Sequence, residues 1–260
     1  MTSNDIVQKL WNLCDILRDD GINYSDYVTE LVLLLFLKME HELAQADTPF
    51  EHKIPTGYRW QEIKSKSGIS LLNEYKRILL ALSTGKEIIP DPENPEKTIE
   101  TVVVTDTLIL AIYAEAQTRL REPRHLEQLV KTLDGIDWFS AQRDGLGDLY
   151  EGLLEKNASE TKSGAGQYFT PRPLIDSMIR CLKPEAGEVI QDPSAGTAGF
   201  LIAADRYIKD ATNDLYALNT KQQKFQINKA FVGMELVPST RRLALMNCLL
   251  HGMEGDNEGV

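Results

Sequence analysis

The chain has 260 residues, of which 42% are hydrophobic, and a formal net charge of −11 at pH 7. This length predicts one large or two modest domains, and the apolar content excludes a chain that is disordered throughout. The longest uninterrupted apolar run, residues 31–37, is far shorter than the roughly 20 residues that cross a bilayer, so the sequence predicts a soluble protein that is not exported.

The three cysteines are Cys14, Cys181 and Cys248, and no two of them form a CxxC pair. The histidines do not cluster either, which argues against both a disulfide framework and a metal site. Reduced thiols of this kind predict a cytoplasmic protein.

The negative charge is concentrated in the first part of the chain. Residues 1–162 contain 18 Lys and Arg against 28 Asp and Glu, whereas residues 163–260 contain 10 against 11. A surface that neutralises DNA phosphates needs excess Lys and Arg, so the first part is a poor candidate for DNA binding on its own.

The first part also carries a helical pattern. Apolar residues recur at Ile6, Leu10, Leu13 and Leu17, the spacing of one helical face, and Gly21 can end that helix. Further helices are predicted at residues 24–46, 69–84, 107–120, 123–133 and 147–158. A proline-rich loop is predicted at residues 85–97, followed by a short strand at 101–105. Residues 1–160 are therefore expected to form a helical bundle.

This bundle shows no pattern that demands chemistry. Its histidines are isolated, and we assign them no role. Its tryptophans can anchor either a core or an interface, and the sequence leaves both open. The residues concerned are His41, His52, His125, Trp11, Trp60 and Trp138.

Residues 161–260 change to an alternation of helices and strands, which indicates an α/β domain. Helices are predicted at 171–182, 200–211 and 238–252, and strands at 189–190 and 230–236. A glycine-containing turn links the first strand to the second helix.

Two carboxylates follow these strands, Asp192 after the first and Glu235 at the end of the second. The carboxyl ends of parallel strands face one crevice, where Glu235 can accept both hydroxyls of a ribose. Gly196 and Gly199 lack a Cβ and let the turn approach a ligand closely. No GxGxxG or phosphate-binding lysine motif is present, so a nucleoside without phosphates fits better. The alternative is a glycine-rich turn with a structural aspartate.

Three segments in this order, GAGQYFTPRPL, DPSAGTAGFL and FVGMELVPSTRRLALMNCLLHG, resemble adenine-N6 DNA methyltransferases. More closely, they are similar to the modification (M) subunit of type I restriction-modification systems. KLWNLCDILRDDG and LLLFLKM resemble that subunit's helical amino-terminal domain, so the resemblance covers nearly the whole chain.

The resemblance implies a Rossmann-like S-adenosyl-L-methionine-dependent methyltransferase domain, of which residues 161–260 are the first part. It also implies a set of cofactor-binding residues. These are Gln167, Tyr168, Phe169, Thr170, Pro171 and Arg172 at the methionine end, Asp192, Gly196, Thr197, Ala198 and Gly199 at the turn, and Glu235 at the ribose. One departure is the 43-residue separation of Asp192 and Glu235, which makes the polar stretch at 210–229 an insertion.

The implied partners are a specificity (S) subunit, a restriction (R) subunit, a second M subunit and, in the full complex, double-stranded DNA. The family binds a flipped adenine through Asn-Pro-Pro-[Phe/Tyr], and this sequence has no such segment. We therefore name no catalytic residue and expect an amino-terminal fragment that is inactive by itself. Two alternatives stay open: a protein-glutamine methyltransferase and a non-catalytic assembly module.

Overall fold

The computed structural model describes residues 3–22, 26–45, 52–91, 97–136, 138, 146–160 and 170–253. The chain divides into two compact units, Met1–Leu153 and Leu154–Val260, which are described separately. No helix within the described ranges is both long and apolar enough to cross a membrane.

The first unit is mainly helical. Its helices are α1 (Ser3–Asn12), α2 (Cys14–Asp19), α3 (Tyr27–Gln45), α4 (Trp60–Lys64), α5 (Gly68–Thr84), α6 (Thr107–Ile112) and α7 (Pro123–Asp134). Strands β1 (Lys86–Pro90) and β2 (Thr98–Val102) form an antiparallel hairpin. The division between the units falls within α8 (Leu146–Glu160).

Helix α3 occupies the centre of this unit, because residues 30–40 are all buried. Three of these buried residues are charged, and each has a partner. Glu30 accepts hydrogen bonds from the Thr118 hydroxyl at 2.8 Å and the Arg119 N–H at 2.7 Å. Glu40 accepts from the backbone N–H groups of Lys53 and Ile54 at 2.9 and 3.2 Å. These bonds offset the cost of burying the carboxylates.

Lys38, the third buried charge, lies 2.6 Å from Glu42 and 3.1 Å from Asp134. Its ammonium is 5.3 Å from the Trp60 ring centre and 6.0 Å from that of Trp138. Both tryptophans are buried, which places them in the core of the first unit.

Two histidines that the sequence left without a role bind buried carboxylates. His125 Nδ1 is 2.7 Å from Asp20, whose side chain also accepts from the Arg121 and Glu122 N–H groups. His52 Nδ1 lies 2.9 Å from Glu40. These contacts tie distant segments of the first unit together.

Three predicted elements of the first unit were wrong in detail. The first predicted helix is interrupted at Leu13, between α1 and α2. The predicted loop at 85–97 contains β1, and its partner β2 starts three residues before the predicted strand. The predicted helix at 107–120 ends at Ile112; Glu115 is left-handed with φ +57°, and the N–H groups of residues 119, 121 and 122 donate to the Glu30 and Asp20 carboxylates rather than within a helix.

The second unit contains a parallel pair of strands, β3 (Ile190–Asp192) and β4 (Phe231–Gly233). Its helices, in chain order, are α9 (Arg172–Leu182), α10 (Gly199–Ala211), α11 (Thr220–Asn228) and α12 (Pro238–Leu250). One apolar cluster joins α10 and α12 to both strands, through Leu201, Ile202, Ala244, Cys248, Ile190 and Phe231. A second cluster joins α9 and α10 through Ile175, Ile179 and Ala204.

The structure adds detail to one prediction in this unit and corrects another. The segment 210–229, predicted to be an insertion, contains α11, which Asn219 caps by accepting from the Gln222 N–H at 3.0 Å. Strand β4 is shorter than predicted, so Glu235 lies two residues beyond it. The described residues thus combine a helical unit and an α/β unit.

Candidate functional site

The site is built where β3 and β4 end. Asp192 pairs with Gly233 in the parallel register, and the Met234 N–H donates to the Asp192 carbonyl at 2.9 Å. The Ala195 N–H then donates to the Met234 carbonyl at 2.9 Å. These bonds hold the segment after β3 against the segment after β4, as expected for neighbouring carboxyl ends of parallel strands.

A tight turn follows at residues 195–198. The Ala198 N–H closes it by donating to the Ala195 carbonyl at 2.8 Å. Gly196 has φ +56°, a left-handed conformation that glycine adopts readily. A Cβ built at Gly196 would meet no atom within 4 Å, so the space beside the turn is open. The turn therefore leaves room for a ligand.

Glu235 faces this turn. Its Oε2 accepts a hydrogen bond from the Gly196 N–H at 3.0 Å, and its Oε1 accepts from the Val237 N–H at 2.7 Å. The side chain is half-buried. Each carboxylate oxygen has about two lone-pair sites, so both oxygens keep acceptor capacity for hydroxyl donors. The two predicted carboxylates, Asp192 and Glu235, are thus brought to one edge.

The other predicted residues near the turn differ in which groups they expose to a ligand. Asp192 is half-buried, and its Oδ1 accepts from the Ser194 N–H at 3.0 Å. Ala198 has φ +67° and a buried side chain in the apolar cluster of α10 and α12, so it offers a ligand backbone only. A Cβ at Gly199 would lie 3.3 Å from Ile175 Cδ1, which shows that this glycine permits the contact of α10 with α9.

The contact between Gly199 and Ile175 also shows where the segment that leads into α9 lies. Ile175 lies in the first half of α9 and Gly199 is the first residue of α10, so the amino-terminal ends of these helices are neighbours. Thr170, Pro171 and Arg172 lead into α9, and Thr170 and Arg172 are half-buried. Gln167, Tyr168 and Phe169 lie outside the described residues.

One residue at the turn escaped the sequence analysis. Asn247 of α12 is fully buried, and its Nδ2 donates to the Thr197 carbonyl at 2.9 Å. The only signal in the sequence is a single amide within the apolar run LALMNCLL. Such a signal does not name the partner, which is 50 residues away.

The buried cysteines offer no nucleophile. Burial raises the pKa of Cys248, which lies in the core behind the turn, to about 12. Burial likewise raises the pKa of Cys14 in the first unit to about 12. Both thiols stay protonated at neutral pH, and a thiol in that form is inert.

Comparison with known proteins assigns both parts of the chain. Residues 6–133 match the HsdM N-terminal domain family, and residues 141–260 match the N-6 DNA Methylase family. The chain is 51% identical to the methylase subunit of the type I restriction enzyme StySPI from Salmonella potsdam, over 98% of this chain and 45% of that protein. It is 50% identical to the EcoKI methylase subunit from Escherichia coli K12, with the same coverage. The chain belongs to the type I methylase subunit family.

The chain spans about half the length of the curated methylase subunits that it matches. The fold is shared with the crystal structure of a protein described as a modification subunit of a type I restriction enzyme, from Vibrio vulnificus YJ016. The TM-score is 0.68 at 21% identity, over 99% of this chain and 56% of the other. The match to the methylase family includes all the residues of the candidate site.

Proposed function

We propose that the protein is the modification subunit of a type I restriction-modification system and contributes to methyl transfer from S-adenosyl-L-methionine to adenine N6 in DNA. The observation that carries this proposal is the hydrogen bond that the Gly196 N–H donates to Glu235. It joins the glycine-containing turn after β3 to the acidic residue after β4. The family assignment supports the same reaction.

The fold proposal has two parts. Residues 1–160 form the helical amino-terminal domain, and residues 161–260 form the first part of a Rossmann-like methyltransferase domain. Support for the second part comes from the parallel pair β3–β4, whose connection contains α10 and α11, with α10 packing against both strands.

The residues at the turn fit S-adenosylmethionine. Glu235 accepts the two ribose hydroxyls with its remaining lone pairs, and the open space beside Gly196 admits the ligand. Asp192 provides a further acceptor, and Thr197, Ala198 and Gly199 complete the turn. When bound, the cofactor supplies an electrophilic methyl group.

The methionine end is assigned to the segment that enters α9. Its residues are Gln167, Tyr168, Phe169, Thr170, Pro171 and Arg172. Support comes from the neighbouring amino-terminal ends of α9 and α10, which bring this segment toward the turn.

DNA recognition is proposed to depend on other polypeptides. The expected partners are a specificity subunit, a restriction subunit and a second modification subunit. The acidic charge of residues 1–162 supports this division of labour, since a protein surface with excess Asp and Glu repels phosphate. A DNA substrate and the presence of free cysteines are both consistent with action in the cytoplasm.

The test is performed on the protein at the full length of its curated relatives. Isothermal titration measures S-adenosylmethionine binding, and transfer of a labelled methyl group to unmethylated DNA is measured with the specificity subunit present. Binding together with adenine-N6 labelling supports the proposal. Labelling of a protein glutamine instead would favour a glutamine methyltransferase, and absence of cofactor binding would favour an assembly module.

A further inference from the structure

We propose that Asn247 is a positioning residue for the turn at residues 195–198, which is called the cofactor turn below. This inference rests on the proposed function and assigns to α12 a part in cofactor binding. It starts from the hydrogen bond that Asn247 Nδ2 donates to the Thr197 carbonyl at 2.9 Å.

The bond acts on one peptide unit of the turn. The carbonyl of Thr197 and the N–H of Ala198 belong to the same planar peptide. The carbonyl is fixed by Asn247, and the N–H is fixed by the Ala195 carbonyl at 2.8 Å. Both ends of this peptide are therefore held, which sets its orientation.

That orientation needs support. Ala198 has φ +67°, a left-handed conformation that is strained for a residue with a Cβ. Gly196, on the other side of Thr197, is also left-handed and points its N–H at Glu235. The Ala195 carbonyl, which accepts from the Ala198 N–H, belongs to the same planar peptide as the Gly196 N–H. Rotation of the Thr197–Ala198 peptide would remove that hydrogen bond and release the peptide whose N–H points at Glu235. Asn247 thus acts on the ribose-binding carboxylate through the turn.

The surroundings of Asn247 indicate that it serves the turn rather than stability. It is fully buried, and its neighbours in α12 include the buried Ala244, Met246 and Cys248. Within the described part of the chain, its Oδ1 has no hydrogen-bond partner. A buried polar atom without a partner is unfavourable, and an apolar side chain at this position would leave no such atom in the helix.

The chain offers a matched control in Gln226 of α11. This amide is also fully buried, and its Nε2 has no hydrogen-bond partner among the described residues. Its Oε1 accepts from the Gly187 N–H at 3.4 Å, and neither residue is part of the turn. Removing this amide perturbs the same unit without touching Thr197.

The experiment compares Asn247→Leu, Asn247→Ala and Gln226→Leu with the wild type, at the full length of the curated relatives. Hydrogen–deuterium exchange of the cofactor-free protein is read over residues 195–199. Isothermal titration then measures S-adenosylmethionine affinity, and thermal unfolding measures stability. The alanine variant removes the amide without adding bulk, which keeps the test decisive if the leucine variant folds poorly.

We expect both Asn247 variants to exchange faster over residues 195–199 and to bind S-adenosylmethionine about 3- to 10-fold more weakly, the range of one neutral hydrogen bond. Gln226→Leu should change neither. Wild-type exchange and affinity in the Asn247 variants would overturn the inference, as would equal losses in the control. If the wild type itself binds no cofactor, the proposed function fails, while the exchange measurement still decides whether Asn247 holds the turn.

Discussion

Glu235 is held in a fixed orientation by two backbone N–H groups, one from Gly196 and one from Val237. A carboxylate that accepts such bonds is preorganised, because its side-chain freedom is already lost before a ligand arrives. Charge-assisted hydrogen bonds to a ribose diol then contribute roughly 1.5–3 kcal/mol each.

Replacement Glu235→Gln should keep the fold and weaken S-adenosylmethionine binding by about 1–3 kcal/mol, a factor of roughly 5 to 150. The amide group places a donor against one of the two N–H groups that now donate to the carboxylate. Isothermal titration of the full-length protein measures the change, with circular dichroism as the check on folding. Glu188→Gln, at an exposed position of the same unit, is the control. Unchanged affinity would remove Glu235 from the site.

Asp134 is a carboxylate of the first unit whose pKa is lowered by its partners. Burial by itself raises its pKa, but hydrogen bonds from Lys64, Lys38 and Trp60 outweigh that effect and lower the pKa to about 2. The ordinary pKa of an aspartate is 3.8. A depressed pKa means that the ionised form stabilises the folded state, and this stabilisation is lost as the pH falls through the folded value.

The first unit should therefore lose about 2 kcal/mol of stability between pH 4 and pH 2 through Asp134 alone. Asp134→Asn should be less stable than the wild type at pH 5 to 7, and the difference should shrink as the pH approaches 2. Urea unfolding at a series of pH values measures this, with Asp210→Asn at an exposed position as the control. A difference that does not depend on pH would show that the charge of Asp134 is not the cause.

Individual residues were predictable where chemistry and position coincide. Asp192 and Glu235 follow apolar strands, and the structure brings both to one edge. Asn247 was not predictable, because its partner Thr197 is distant in sequence and the contact depends on how α12 packs behind the turn. Gly199 was assigned to close ligand approach, whereas its missing Cβ makes room for Ile175.

Among the elements, the long apolar helices were predicted well. Helix α3 lies within the predicted helix at 24–46 and is buried over residues 30–40. The spacing of apolar residues gave a wrong prediction for the segment that follows Ile112. The residues after Ile112 are helical in pattern, but Glu115 is left-handed with φ +57°, and the N–H groups of Arg119 and Arg121 donate to the Glu30 and Asp20 carboxylates. Tertiary contacts thus overrode intrinsic helix preference.

Helix α5 ends at Gly85, which is in the left-handed conformation with φ +73°. Its carbonyl accepts from the N–H groups of Val103 and Val104, so this glycine also anchors the chain that follows the hairpin. A Cβ at this position would lie 3.0 Å from the Val104 carbonyl oxygen and 3.1 Å from a methyl carbon of Leu110.

Gly85→Ala should destabilise the protein by about 1–3 kcal/mol, since both the backbone conformation and the contact with Val104 are unfavourable for alanine. Gly135, which follows α7, is the matched control, because its φ is −85° and an added Cβ would lie no closer than 3.4 Å to other atoms. Thermal unfolding of both variants measures the contrast. Equal losses in the two variants would contradict a special role for Gly85.

At the scale of the whole molecule, the sequence contains the proposed cofactor turn but no Asn-Pro-Pro-[Phe/Tyr] segment. A methyltransferase that acts on a base extruded from the duplex needs groups that bind the flipped base. The candidate site is proposed to bind the cofactor, and no residue is assigned to the adenine.

The 260-residue chain alone should therefore show no measurable transfer of a tritiated methyl group from S-adenosylmethionine to unmethylated DNA. The positive control is the protein at the full length of its relatives, assembled with a specificity subunit. Transfer above background by the purified chain, with contaminating enzymes excluded, would show that this sequence already contains the catalytic groups.

All three tryptophans, at positions 11, 60 and 138, belong to the first unit, whereas the candidate site belongs to the second. Indole fluorescence therefore monitors the helical unit alone, and the rings of Trp60 and Trp138 next to Lys38 make that emission sensitive to the buried ion pair with Asp134. Far-ultraviolet circular dichroism senses both units. Comparing the two signals during unfolding measures whether the units unfold together. A change in indole emission on adding cofactor measures whether ligand binding to the second unit alters the surroundings of the tryptophans in the first.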